Sequence, residues 1–162
     1  MALAAGLTAL ADQASKTYAH DFLRARPSQP LIDGFLYVTY VRNTGAAFGL
    51  LRNSAWLLSA LSLVFLLAVI IFGATSSPLS RGTRLALAAG IGGAVSNLLD
   101  RFTRGYVIDF IDFRVWPVFN LADVAIVVGL GWLCFRLLFH GQAPGGPGGR
   151  RRSEERTDDN VP

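Results

Sequence analysis

Four acids, Asp100, Asp109, Asp112 and Asp123, lie in the stretch from Gly92 to Ile126, two apolar segments and the short connection between them. Asn97, Arg101 and Asn120 share that stretch. Ionisable groups at membrane depth are costly, so each marks a functional site by default. Two neighbouring carboxyls cannot both ionise easily; one keeps a proton while the other serves as a base. Such a pair takes a proton from water and gives one to a carbonyl oxygen, which hydrolyses an amide without metal or covalent intermediate. From the residues alone the pair is Asp123 with either Asp109 or Asp112. Asp123 sits in an apolar context three residues after Asn120. Asp100, beside Arg101 and level with Lys16 and Arg42, reads as the ion-paired acid.

Other chemistries fit poorly. A Ser or Cys nucleophile normally needs a base, and the two histidines, His20 and His140, fall near opposite ends of the helices. His20 reads as a surface residue. Zinc lacks an HExxH or a histidine pair, and all-carboxylate sites suit harder ions; no metal and no cofactor are expected. Cys134 is the only cysteine, so a disulfide within the chain is excluded. It sits in an apolar run and reads as buried or lipid-facing. Glycosidases also use two acids, but nothing suggests a sugar platform. The net charge of +4 is modest, with no basic stripe interleaved with aromatics, so nucleic acid is not an expected partner.

The elements that hold these residues read as membrane helices. Hydrophobic residues make up 52% of the chain and charged residues 16%, against about 25% charged in soluble domains. The expected fold is a membrane all-α core of four transmembrane helices with a small extracytoplasmic β-cradle. A first helix covers about 2–23 and must continue through Asp12 and Lys16, since its uncharged start spans only ~16 Å. Asp12 and Lys16 are four apart with the acid first, the favourable order for an ion pair; it is a salt bridge near the outer end or a prop for a site. Residues 24–54 read as an outer cap, with a strand at 35–41 and a turn at 42–45. A second helix, 55–73, carries no charge. The loop 74–84 carries Arg81 and Arg84 and no acid, as on a cytoplasmic side. A third helix runs from 85 to Arg101 or beyond, with Gly90, Gly92 and Gly93 permitting close approach. Asn97, Asp100 and Arg101 share one of its faces. Residues 102–117 form an outer connection, and a fourth helix covers 118–139. Residues 1–140 then form one protease domain, and 141–162 a disordered, charged cytoplasmic tail. Both termini are expected in the cytoplasm and the acids near the extracytoplasmic face. Arg24, Arg26, Arg42, Arg52, Arg104 and Arg114 run against the positive-inside pattern. Capture of Arg42 and Arg101 by site acids softens that conflict.

Five blocks, in order, resemble signal peptidase II, the bacterial lipoprotein signal peptidase family. They are Asp12-Gln13 with Lys16; Asn43-Thr44-Gly45 through Gly49; Gly92-Gly93-Ala94-Val95-Ser96-Asn97 with Asp100-Arg101; Gly105 through Phe110; and Phe119-Asn120-Leu121-Ala122-Asp123. The resemblance implies an aspartic endopeptidase of the bacterial inner membrane. It implies cleavage of diacylglyceryl-modified prolipoproteins before the lipidated cysteine, with signal peptides and membrane lipids as partners. It settles the acids as Asp109 and Asp123 and makes Asp112 a loop residue. It implies that Asn43, Asn97, Arg101 and Asn120 position substrate or water, and that Asp12, Lys16, Gly45 and Asp100 are supports. Two departures stand out: Ser96 replaces a usual glycine, and the link from Asp109 to Asp123 is short. The rival readings are a proton-coupled carrier relaying through Asp109 and Asp123, and a non-catalytic lipoprotein-handling protein.

Overall fold

A computed structural model describes residues 1–45, 55–75 and 79–139. The expected outer loop at 46–54, His140 and the tail at 141–162 lie outside the described residues. The elements in chain order are α1 (Ala2–Leu23), β1 (Gln29–Ile32), β2 (Leu36–Asn43), α2 (Ala55–Thr75), α3 (Arg81–Arg104), β3 (Val107–Asp112) and α4 (Leu121–Phe139). Four helices and a small sheet were expected. The sheet is larger than the single expected strand: β1, β2 and β3 pair antiparallel in that order.

α3 is the central helix and packs on α1, α2 and α4. Small residues make that possible. A Cβ on Gly92 would strike the Ala5 carbonyl, and one on Gly93 would lie 2.5 Å from the Ala122 carbonyl. Both glycines therefore let backbones meet without a side chain between them. α3 begins earlier than expected. Ser80 caps it, its side chain accepting from the Thr83 N–H at 3.3 Å. Arg81 and Arg84 thus stand on the helix rather than in a loop. The helix stops at Gly105, whose φ of 77° is the left-handed conformation that glycine adopts without a Cβ penalty; its N–H closes on the Arg101 carbonyl.

The sheet docks on the C-terminal end of α1. Ala19, Leu23 and Ile108 form the buried apolar cluster there, with Val38, Tyr40, Tyr106 and Phe110 packed against it. β2 runs through Asn43, so the turn starts later than expected. Between the pairs Val38↔Ile111 and Val41↔Asp109, β2 carries one more residue than β3. Asp109 and Asp112 are three apart and lean to opposite faces of their strand. The extra residue in β2 lets Thr39 meet Asp112 while Asn43 meets Asp109.

Among the described residues, no helix is long and apolar enough to cross a membrane. Charges interrupt α1 at Asp12, Lys16 and Asp21 and occupy both ends of α3. α2 and α4 each include side chains outside the described residues. All four helices nevertheless turn large apolar side chains outward, among them Leu3, Leu10, Val64, Ile71, Leu85, Val127 and Leu138.

Candidate active site

α4 brings Asp123 to its first turn and β3 carries Asp109 next to it. Asn120 joins them. Its backbone N–H donates to Asp123 Oδ2 at 3.2 Å, and its Oδ1 accepts from the Asp123 N–H at 3.0 Å. This is a reciprocal cap in which residues 120 and 123 satisfy two otherwise orphaned N–H groups. It explains why α4 starts at Leu121 rather than near 118. The Asn120 Nδ2 then donates to Asp109 Oδ1 at 2.6 Å. The two ends of the link are also pinned by backbone: Phe110 and Ile111 both donate to the Phe119 carbonyl, at 3.0 and 2.8 Å.

Every oxygen of the two carboxyls has a donor. Asn43 Nδ2 reaches Asp109 Oδ2 at 2.8 Å, and Asn97 Nδ2 reaches Asp123 Oδ1 at 2.8 Å. Asn43 is itself fixed by the Gly45 N–H on its Oδ1, which is where Gly45 enters the site. Asp109 and Asn120 are buried, while Asp123 keeps partial exposure. Burial and then the charge of Asp123 push Asp109 up to about 7, against the pull of Asn43, Asn120 and Lys16. A carboxyl in that range exchanges its proton near neutral pH.

Below this pair lies a buried ionic cluster. Lys16, Asp12 and Asp100 are all fully buried. Lys16 Nζ stands 2.6 Å from Asp12 Oδ2, 2.9 Å from Asp100 Oδ2 and 2.7 Å from Asn97 Oδ1. The Asp12–Lys16 pair is therefore a prop under the acids, not a surface bridge. Asp12 Oδ1 also accepts from the Ala122 N–H at 2.8 Å, tying α1 to the N-terminus of α4 where a negative charge is favoured. Asp100 is ion-paired as expected, with Lys16, one of the neighbours named for it, and also with Arg104, rather than with Arg101 or Arg42.

Arg101 is half-buried; its Nη1 lies 3.5 Å from the Asn97 carbonyl, and its charge is felt by Asp123 and Asp109. Arg42 is exposed and sits over the Tyr106 ring, 5.1 Å from its centroid, so the site acids do not hold it. His20 is half-buried and shares a 3.1 Å hydrogen bond with the Tyr40 hydroxyl, correcting its reading as a surface residue. Asp112 ends β3 and does not bond the pair. It accepts from Thr39 Oγ1 and from the Arg114 N–H. Burial acts to raise it, but those donors and the Arg114 guanidinium hold it below the usual carboxylate range.

Gln13, Ser96 and Arg104 were not expected among the site's supports, yet all three join this network. Ser96 Oγ donates to Asp12 Oδ2 at 2.7 Å and accepts from Gln13 Nε2 at 2.9 Å. Gln13 also reaches Asp100 Oδ1. Arg104 was findable, standing four residues after Asp100 on the same face. Gln13 and Ser96 are 83 positions apart, and no local pattern relates them. No group of three or more potential metal ligands occurs among the described residues.

The family model of signal peptidase (SPase) II matches residues 4–139. The lipoprotein signal peptidase of Moorella thermoacetica is 45% identical over 144 residues, covering 86% of this chain and 90% of that protein. That of Syntrophomonas wolfei is 44% identical over 140 residues, covering 84% and 91%. A bacterial membrane enzyme solved by the in meso method at 2.3 Å superposes with a TM-score of 0.79 at 26% identity, over 92% of this chain and 93% of that one. A second, solved at 1.9 Å, gives 0.75 at 28% identity, over 85% and 91%. With the match running from α1 to α4, the chain belongs to the signal peptidase II family.

Proposed function

We propose that this chain is an intramembrane aspartic endopeptidase that removes signal peptides from diacylglyceryl-modified prolipoproteins. It cuts before the lipidated cysteine with a water activated between Asp109 and Asp123. Family membership and relatives named lipoprotein signal peptidase support the substrate class. The observation that carries the chemistry is Asn120, which bonds both carboxyls at once. It holds them as a pair whose titration is shared. Asp109, buried and drawn up to about 7, carries the shared proton and donates it to the scissile carbonyl oxygen. Asp123, the more accessible of the two, takes the proton from water as that water attacks. In the collapse of the gem-diol intermediate Asp123 passes its proton to the leaving amide nitrogen while a hydroxyl of the intermediate returns a proton to Asp109, so the pair again holds one proton. Asn43, Asn97 and Asn120 orient the acids, and Arg101 faces the same space as a donor for substrate carbonyls.

The same reading puts the four helices across the inner membrane with both termini in the cytoplasm and the sheet outside. The outward apolar side chains on all four helices support it. Asp12, Lys16 and Asp100, turned inward and paired, no longer oppose insertion, since buried partners remove the need for water. The sheet and the acids lie at one end of the helices, which favours hydrolysis over a proton path from face to face. Residues 141–162 are proposed as a cytoplasmic tail dispensable for turnover.

The test is cleavage of a lipidated precursor by the purified enzyme in bilayers, repeated with Asp109→Asn and Asp123→Asn. The parent cleaves and neither variant does. Turnover surviving in either variant removes the pair from the reaction.

A further inference from the structure

The pair is approached by amides, and an amide has two ends. Asn97 can serve Asp123 only if its NH2 faces the carboxyl; rotated by half a turn, its oxygen would repel it. Something must fix that choice. Asn97 Oδ1 accepts from Lys16 Nζ at 2.7 Å and from Asn120 Nδ2 at 3.3 Å. An ammonium has three donors and no acceptor. It tolerates only the oxygen of Asn97, which leaves the Asn97 NH2 for Asp123 at 2.8 Å. Lys16 is fully buried and ion-paired with Asp12 and Asp100, while its hydrogen bond goes to Asn97. The bond direction then runs one way, from Lys16 through Asn97 to Asp123, with Asn120 feeding both Asn97 and Asp109.

We infer that Lys16 is a positioning residue of the reaction: its ammonium locks the Asn97 amide so that Asp123 receives a donor. This rests on the Asp109–Asp123 reading above. Asp12, on the same helix, and Asp100, on α3, face Lys16 directly. Arg104 on α3 takes the other oxygen of Asp100. The two buried acids are thus matched by two cations, Lys16 buried between them and Arg104 at the partly exposed edge. Ion pairing with the two acids would not by itself aim Lys16 Nζ at an amide; its 2.7 Å hydrogen bond to Asn97 Oδ1 does.

Loss of Lys16 alone would leave two buried acids sharing one cation and risk unfolding. The test therefore uses Asp12→Asn as a background, which removes one charge of each sign when combined with a change at Lys16. Asp12→Asn/Lys16→Gln keeps a donor toward Asn97; Asp12→Asn/Lys16→Met does not. We expect the Gln form to keep kcat within about tenfold of the parent and the Met form to lose about a further hundredfold. KM should be alike in both. Equal kcat in the two folded forms overturns the inference.

A second measurement needs no disabling change. Lys16 is the only lysine in the chain, so 15N-lysine labelling gives one side-chain signal without assignment. Asn97→Leu should displace it. A signal unmoved by Asn97→Leu overturns the inference whatever the double variants do. Cleavage surviving Asp109→Asn or Asp123→Asn would instead reject the acid pair itself and is read separately from the lysine signal.

Discussion

Asn120 Nδ2 donates to Asp109 Oδ1 at 2.6 Å, while its own Oδ1 is occupied by the Asp123 N–H at 3.0 Å. One side chain thus caps a helix and spaces two acids. Replacing it separates those duties. Asn120→Ala should cost ~1–2 kcal/mol of stability through the lost cap. It should also lower kcat by about a hundredfold, because Asp109 loses a donor and the pair its common anchor. Thermal melting and steady-state cleavage measure the two. A kcat within threefold of the parent would show that Asn120 serves the helix only.

The pH behaviour follows from Asp109. Its folded value is about 7, against 3.8 for the free side chain. Between those values the folded state binds more protons than the unfolded one, so stability falls as pH rises toward 7. Asp109→Asn removes that penalty. It should stabilise the enzyme by ~1–3 kcal/mol at pH 8 and by less at pH 5, while abolishing cleavage. The parent's kcat should decline above pH 7, where the pair loses its shared proton. Denaturation at two pH values and a pH–rate profile check both signs.

Asp112 stands only three residues from Asp109, yet its oxygens meet Thr39 and Arg114. Asp112→Asn should leave the pH–rate profile unmoved and kcat within about threefold. A displaced profile would mean that Asp112 does communicate with the shared proton.

Ser96 bridges Asp12 and Gln13. Ser96→Gly should destabilise by ~1–2 kcal/mol, since Asp12 loses a buried donor. Turnover should change less than twofold, because Asp12 keeps Lys16 and the Ala122 N–H. A drop in kcat without loss of stability would contradict that division.

Gly93 has no room for a methyl group. Its Cβ would lie 2.5 Å from the Ala122 carbonyl, one residue before Asp123. Gly93→Ala should force α3 from α4, costing ~1–3 kcal/mol, and displace Asp123 from Asn97, lowering kcat at least tenfold. Gly6→Ala, with nothing within 4 Å, is the control: it should leave kcat unchanged and stabilise α1 by up to ~1 kcal/mol, the helix preference of alanine over glycine.

Much of this protein was legible in one dimension. The helix expected at about 2–23 matches α1 although charges interrupt its apolar run, and the helix at 55–73 ends within two residues of α2, because an uncharged run marks its own limits. The strand at β2 was visible in its aromatic and β-branched run. β1 was not, being short and centred on a proline. β3 was hidden by its acids, which are unusual in strands and read as a connection.

Residue types and spacing were enough to single out the acids, since a carboxyl in an apolar stretch needs a reason wherever it lies. They left Asp109 and Asp112 equivalent. The strand separates them: a spacing of three puts them on opposite faces, and only Asp109 meets Asn120. Likewise Asp12 and Lys16 were readable as a pair, but not as a buried one. Their burial depends on α3 lying close against α1 and α4, which Gly92 and Gly93 permit. Local sequence could name the charged partners. Only the packing of three helices decided that Lys16 would meet Asn97, and that Asn97 would turn its amide to Asp123.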